Sequence, residues 1–179
     1  KAFNKLPIKK YMDIGCGFGA TTALMALALE VEDVYLIEGR GTVLKATGYN
    51  QSLDAWNDVM MAKMMVDANV HESVPVHAYY FDDLKELATL RDLDLITSFR
   101  SWGHHYPTDT YAGAAKLWLK PNASLILDVR VSKVPPGKRM APIVNSGFNR
   151  LKWVSEGTAS WKSQRTLFES GISENKLPD

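Results

Sequence analysis

The first stretch that could do chemistry is a run of three alternating glycines, Gly15, Gly17 and Gly19. It lies between an apolar segment ending at Ile14 and an apolar segment beginning at Ala20. Glycines at this spacing allow a tight turn and let the backbone approach a ligand closely, and a helix that starts directly after them adds free N–H groups and a positive dipole end. The sequence therefore predicts a small polar ligand at this loop. Because the spacing also fits a relaxed dinucleotide fingerprint, the glycines alone leave the nucleotide class open.

Acidic residues stand at the predicted ends of three strands. Asp13 lies two residues before the first glycine, where a carboxylate repels a pyrophosphate and attracts a cationic ligand. Glu38 ends the next apolar run, where its two oxygens could take both hydroxyls of a ribose. Asp82 and Asp83 end the third run, where a carboxylate or a backbone amide could read an adenine edge, although either acid could instead cap the following helix.

The segment 98–107, after the predicted fourth strand, holds more reactive side chains than a connector needs. These are Arg100, Trp102, His104, His105 and Tyr106. An imidazole titrates near neutral pH, so either histidine could take a proton from a hydroxyl. Arg100 could pair with an anionic group, and Trp102 or Tyr106 could stack on a flat ring or a sugar face. The alternative is that the histidines are exposed loop residues and that Trp102 packs beneath the sheet edge.

These motifs resemble those of the class I S-adenosylmethionine-dependent methyltransferases, whose first motif is hydrophobic-Asp-x-Gly-x-Gly-x-Gly and whose second strand ends in an acid. Residues 119–128 are similar to the segment that enters the family's fifth strand, with Asn122-Ala123 in place of its usual glycine pair. The resemblance covers most of the chain and implies S-adenosylmethionine as the cofactor. It implies that the cofactor-binding residues are Asp13, Gly15, Cys16, Gly17, Phe18, Gly19, Glu38, Gly39, Asp82, Asp83 and Ser98.

The resemblance implies methyl transfer, and the loop 98–107 favours a hydroxyl acceptor on a small polar molecule such as a sugar. Asp128, at the end of the predicted fifth strand, is a third catalytic candidate beside His104 and His105, either to orient a histidine or to ligate a divalent ion. Metal-dependent members of the family usually carry another acid at the end of the fourth strand, where this chain has Ser98. We therefore expect a metal-independent reaction.

Three alternatives remain open. The segment 98–101 matches neither the Asn/Asp-Pro-Pro-aromatic motif of amino-group methyltransferases nor the strand-end Asp of one ribose-methylating type, so a nucleic-acid substrate is a minority interpretation. The others are a nicotinamide-dependent oxidoreductase and a catalytically inactive cofactor-binding module. The acceptor pocket must come from the loops 40–51, 100–108 and 131–138. These loops contain Arg40, Tyr49 and Lys133 and adjoin Arg130, and they favour a polar or anionic acceptor.

Strand-like runs alternate with helical stretches along the chain, a pattern typical of a parallel sheet covered by helices on both faces. The predicted strands are 11–14, 34–38, 76–81, 93–98, 124–129, 151–156 and 164–169, and the predicted helices are 20–29, 52–68, 84–90, 108–119 and 139–146. The Pro135-Pro136-Gly137 stretch predicts a loop over 133–138. The sequence thus predicts a doubly wound, seven-stranded, mostly parallel α/β sheet with an antiparallel last strand. Met60 and Met64 of the second helix are expected in the core.

Composition bounds the remaining possibilities. With 179 residues, 46% of them apolar and 23% charged, we expect one folded domain over 1–170 with a polar tail over 171–179, and neither a membrane span nor a signal peptide. The single cysteine indicates a cytoplasmic protein.

Charge is unevenly distributed along the chain. Residues 1–94 carry 9 Lys and Arg against 14 Asp and Glu, and residues 95–179 carry 12 Lys and Arg against 6 Asp and Glu. This split could steer an acidic substrate toward the second half, but it falls short of the basic surface of a nucleic-acid binder. The sequence leaves the oligomeric state open.

Overall fold

The computed structural model describes residues 7–39, 58–130, 136–155 and 163–171. The elements in chain order are β1 (Lys10–Ile14), α1 (Ala20–Leu29), β2 (Asp33–Glu38), α2 (Val59–Asp67), β3 (Val76–Tyr80), α3 (Leu84–Leu87), β4 (Leu93–Ser98), α4 (Ala112–Trp118), β5 (Leu119–Arg130), α5 (Pro136–Asn145), β6 (Phe148–Ser155) and β7 (Ser163–Ser170). They form one seven-stranded sheet in the order β3-β2-β1-β4-β5-β7-β6. The first five strands in this order are parallel, whereas β7 runs antiparallel to both of its neighbours. The predicted fold class is confirmed.

Helices cover both faces of the sheet and divide the core in two. On one face, Met12 and Ile14 of β1 pack with buried residues of α3, α4 and α5. On the other face, Tyr11 packs with buried residues of α1 and α2. Since β1 lies between β2 and β4, the connections leave it in opposite directions, and the carboxyl ends of β1 and β4 border a crevice.

Several predicted boundaries differ from the structure. Strand β5 begins at Leu119 rather than at residue 124, because Leu119 already pairs with Leu93 ahead of an irregularity in the register. Helix α4 begins at Ala112 rather than at residue 108. The predicted loop over 133–138 is wrong from Pro136 onward, where α5 begins. A proline has no N–H to leave unpaired at the first helical position, and its fixed φ suits a helix, so it starts α5 instead of excluding it.

The methionines of α2 do not lie in the core, contrary to the prediction. Val59, Ala62 and Val66 form its buried side. Met60 and Met64 are instead 47% and 64% exposed. Because Ala62 lies against the glycine loop, the close approach of the backbones selects the small and branched residues as the buried face.

Some predictions fall on residues that the structure does not describe. These are Arg40, Tyr49 and Lys133 of the expected acceptor pocket, the loop 40–51, the part of the second predicted helix before residue 58, and the tail after Gly171. Among the described residues, no helix is long and apolar enough to cross a membrane.

Candidate functional site

The glycine loop connects β1 to α1 through three left-handed residues. Gly15, Gly17 and Gly19 have φ values of 71°, 58° and 79°, a region that favours glycine. Space demands glycine as well, because a Cβ on Gly15 would lie 2.0 Å from the Ser101 Oγ and one on Gly19 would lie 2.7 Å from the Ala62 carbonyl oxygen. The backbone can therefore lie this close to its neighbours only without side chains.

Glu38 lies beside this loop at the end of β2. Its Oε2 accepts a hydrogen bond from the Gly17 N–H at 2.9 Å, and its Oε1 accepts one from the Gly39 N–H at 3.0 Å. Burial raises the pKa of Glu38, although the two amides oppose the shift. The carboxylate is thus oriented by backbone groups and retains lone pairs for further donors.

A cleft of about 180 Å³ lies where the glycine loop faces the segment after β4. It is lined by Gly15, Gly17, Glu38, Arg100, Ser101, His105 and Tyr106. A narrower extension is lined by Ile14, Ile37, Gly39, Phe81 and Tyr111 together with residues of the cleft. The structure therefore brings six predicted site residues to the cleft and a seventh, Gly39, to its extension. It adds Ser101, Phe81 and Tyr111, of which only Ser101 lies in the segment that the sequence singled out.

Asp13 does not line the cleft, so the predicted direct contact with a cofactor does not follow from this structure. The side chain is 3% exposed, and it accepts hydrogen bonds from the hydroxyls of Thr22 at 2.6 Å and Thr97 at 3.0 Å. Because the Thr97 proton points to Asp13, the Tyr11 hydroxyl donates to Thr97 at 2.8 Å. Burial raises the pKa of Asp13 to about 6. This buried network joins β1, β4 and the first turn of α1.

Ser98 and Trp102 also differ from their predicted roles. Ser98 is buried, and its hydroxyl donates to the Ile14 carbonyl at 2.7 Å and accepts from the Trp102 N–H at 2.9 Å, so it joins β1 to the following loop instead of facing a cofactor. Trp102 is 0% exposed, and its indole donates to the Thr108 carbonyl at 2.9 Å. Its ring has no face open to an acceptor, because the core already surrounds it.

Asp128 is held by an arginine instead of orienting a histidine or a metal ion. Arg165 donates from Nε and Nη2 to the two carboxylate oxygens at 2.8 Å and 2.9 Å. Such a paired geometry uses the carboxylate edge that a metal or an imidazole would need. Within the described part of the chain, no group of three His, Cys, Asp or Glu side chains could hold a metal ion.

The two histidines differ in position. The rings of His104 and His105 meet edge to face at 4.7 Å, but of the two only His105 lines the cleft.

The two acids after β3 also differ in position. Asp83 accepts a hydrogen bond from the Tyr80 N–H at 2.7 Å, whereas the exposed Asp82 lines an apolar groove between α3 and α4. In the glycine loop, Cys16 is buried and Phe18 is exposed.

Comparison with solved structures identifies the fold. Fibrillarin from Methanococcus jannaschii, a pre-rRNA processing protein, superposes with a TM-score of 0.63 at 17% identity over 96% of this chain and 72% of its own. The N-methyltransferase NodS from Bradyrhizobium japonicum, solved with S-adenosylhomocysteine, has a TM-score of 0.62 at 13% identity over 92% of this chain and 79% of its own. Further similar structures are of S-adenosylmethionine-dependent methyltransferases. The chain therefore has the fold of the class I S-adenosylmethionine-dependent methyltransferases.

The same fold also carries other chemistry. The [4+2]-cyclase SpnF superposes with a TM-score of 0.61 at 11% identity, over 92% of this chain and 75% of its own. No protein-family model matches the chain, and no curated protein matches it in sequence. The reaction must therefore be argued from the cleft.

Proposed function

We propose that this protein is an S-adenosylmethionine-dependent methyltransferase that methylates a hydroxyl group of a small polar acceptor, such as a sugar, without a metal ion. The observation that carries the proposal is the cleft in which the glycine loop and Glu38 face His105. One side offers a glycine backbone that a ligand can approach closely and a carboxylate, which suit a nucleoside with a cationic centre. The other side offers an imidazole, which suits removal of a proton from an acceptor.

The cofactor would bind along the glycine loop. Glu38, oriented by the Gly17 and Gly39 amides, would accept hydrogen bonds from the ribose hydroxyls, and Phe81 and Tyr111 would contact the base. His105 lines the same cleft as the glycine loop and Glu38. Asp13 contributes its negative charge from beneath the loop and holds the first turn of α1 through Thr22.

The reaction is an in-line displacement. The bound cofactor would supply an electrophilic methyl carbon: the acceptor oxygen would bond to it as the carbon–sulfur bond breaks, and the electron pair would stay on sulfur as the neutral thioether. A ring nitrogen of His105 takes the hydroxyl proton. Arg100, also at the cleft, favours an acceptor with an anionic group. Alignment contributes up to about 7–11 kcal/mol, and the base contributes about 10²–10⁴-fold.

Calorimetric titration with S-adenosylhomocysteine and with NAD in parallel tests the cofactor. We expect S-adenosylhomocysteine to bind and NAD not to bind; the reverse preference would favour the oxidoreductase alternative and overturn the proposal. Labelled S-adenosylmethionine is then incubated with panels of sugars, polyols, their phosphates and total RNA. Label on a small hydroxyl compound supports the acceptor class, and label on RNA alone contradicts it.

The base is tested with the labelled acceptor by a matched pair of variants. His105→Ala should lower kcat by about 10²-fold or more and leave the affinity for S-adenosylhomocysteine nearly unchanged. His104→Ala is the control, because the same ring is removed from a position outside the cleft lining, and it should retain most of the activity. Full activity of His105→Ala would exclude it as the base.

A further inference from the structure

Arg165 connects two parts of the chain that are distant in sequence. Directly opposite Asp128 in the β5–β7 pairing, it binds the Asp128 carboxylate with two hydrogen bonds. Its guanidinium carbon also lies 4.1 Å from the centroid of the Phe99 ring. The planar group thus uses its edge for the carboxylate and its face for the aromatic ring, a combination that lysine cannot provide.

Phe99 is the first residue of the acceptor loop, which we define as residues 99–107. The next residue, Arg100, has a φ of 61°. A residue with a side chain in this left-handed region is strained by about 1–2 kcal/mol and stays there only when its surroundings hold it. Phe99 is held on one side of the strained residue by Arg165, and Trp102 is held on the other side by the Ser98 hydroxyl.

The loop has its own compact shape, so its anchors determine where it lies. The N–H groups of His104, His105 and Tyr106 all donate to the Ser101 carbonyl. This turn is tied to the sheet by the buried Trp102 ring and by the Arg130 N–H, which donates to the Gly103 carbonyl at 2.9 Å. The Phe99 ring is a further anchor, next to Arg100 in the chain.

We propose that Arg165 is a positioning residue, which acts through Phe99 and Asp128 to fix the acceptor loop so that Ser101 and His105 face the glycine loop. The inference rests on the proposed function, because it gives the loop a role in binding the acceptor. It also gives Asp128 a role: the carboxylate orients and neutralises Arg165, so that its guanidinium remains on the ring.

Hydrogen exchange of the ligand-free protein tests this proposal. In Arg165→Met, the amides of Trp102 and residues 103–106 should exchange about tenfold faster or more, because the loop opens more often. Arg165→Lys should not restore protection, since a lysine keeps the charge but loses the stacked face. Phe99→Leu should reproduce the effect while it leaves the Asp128–Arg165 pair intact.

Lys120→Met is the matched control. Lys120 binds Asp94 at 2.7 Å with side-chain exposures of 41% and 15%, close to the 38% and 6% of Arg165 and Asp128. Lys120→Met should leave hydrogen exchange of the acceptor-loop amides unchanged. The exchange rate of the Gly19 amide should be the same in every variant. Unchanged loop exchange in Arg165→Met and Phe99→Leu, or equal acceleration throughout the chain, would overturn the proposal. Titration of the wild type with S-adenosylhomocysteine tests the proposed function separately, so the two failures are distinguishable.

Discussion

The two sides of the cleft are built in different ways. The glycine loop is held by its own backbone: three left-handed glycines, a short bond from the Gly15 N–H to the Ile37 carbonyl at 2.7 Å, and the amides that orient Glu38. The acceptor loop is held by side chains: the adjoining Ser98 hydroxyl, its own buried Trp102 ring, and Arg165 of β7. On the local side, the turn itself is therefore specified by neighbouring glycines, whereas on the tertiary side the acceptor loop depends on a long-range contact with Arg165.

The two sides also differ in charge. Asp13 and Glu38 lie at the glycine side, and burial raises the pKa of both carboxyls because the charged form loses its hydration. Arg100 and His105 lie at the acceptor side. A ligand with a cationic centre toward the glycine loop and a polar or anionic group toward the acceptor loop would complement both.

The largest loss of unfolding free energy is expected on the tertiary side, in the acceptor loop. Trp102→Ala should destabilise the protein by about 3–5 kcal/mol in urea unfolding, because it leaves a cavity and an unpaired Thr108 carbonyl. Tyr106→Ala, in the same loop but half-buried, should lower the unfolding free energy by only about 1 kcal/mol. If Trp102 served mainly to stack on an acceptor, its replacement would leave stability nearly unchanged.

Gly15→Ala tests the local side. The new Cβ must adopt a left-handed backbone and meets Ser101, so we expect a loss of about 2–4 kcal/mol in unfolding free energy, together with weaker binding of S-adenosylhomocysteine. Gly113→Ala is the matched control, because nothing lies within 4 Å of its Cβ position in α4. It should stabilise the protein slightly, by up to about 1 kcal/mol. Equal effects of the two changes would mean that the tight turn is not required.

The difference between the two sides explains what could be predicted from the sequence. The order and type of the strands follow from hydrophobic period, and the glycine loop follows from residue spacing, because both depend on neighbours in the chain. The role of Trp102 could not be predicted, since an indole in a loop is equally compatible with stacking on a ligand and with burial. Only the packing of β4 against the rest of the sheet decides between them.

The partners of charged residues are hard to predict for the same reason. Asp128 was a reasonable catalytic candidate at a strand end, but its partner Arg165 lies 37 residues away and pairs with it only through the β5–β7 register. Asp13 is predicted at the glycine loop, where its carboxylate is buried and does not line the cleft. Its direction depends on Thr22 and Thr97, whose hydroxyls had no recognisable signal in the sequence.

The raised pKa of the buried Asp13 carboxyl predicts that the protein loses stability as the pH rises. Its pKa of about 6 in the folded protein lies above the ordinary value of 3.8, so the folded state binds the proton more tightly than the unfolded state. Stability from this group is therefore fully present below about pH 4 and is lost as the pH rises to about 6, a total of roughly 2–3 kcal/mol. Asp13→Asn should remove this loss, as measured by urea unfolding from pH 4 to pH 7.

Asp94→Asn supplies a control of opposite sign. Burial raises the pKa of Asp94, but Lys120 and the amides of Lys9 and Lys10 outweigh it and lower the pKa overall. Stability from Asp94 is therefore fully present above about pH 4 and is lost only as the pH falls through its lowered folded pKa, so Asp94→Asn should differ from the wild type by a constant amount from pH 4 to pH 7. If the difference between wild type and Asp13→Asn does not change with pH, the carboxyl is not the buried acid that this geometry requires.

Glu38→Gln should give the smallest of these effects and sharpens the charge comparison. The glutamine amide places a donor against one of the two N–H groups of Gly17 and Gly39, so one hydrogen bond is lost and the negative charge disappears. We expect the affinity for S-adenosylhomocysteine to fall about tenfold at pH 7.5 by calorimetry.

Glu32→Gln is the control, since Glu32 pairs with Lys9 and does not line the cleft. This variant should bind S-adenosylhomocysteine like the wild type. Because burial raises the pKa of Glu38, wild-type affinity should also decline in mildly acidic buffer, whereas Glu38→Gln should bind equally across that range. An unchanged affinity in Glu38→Gln would mean that the glycine loop binds the nucleoside through its backbone alone.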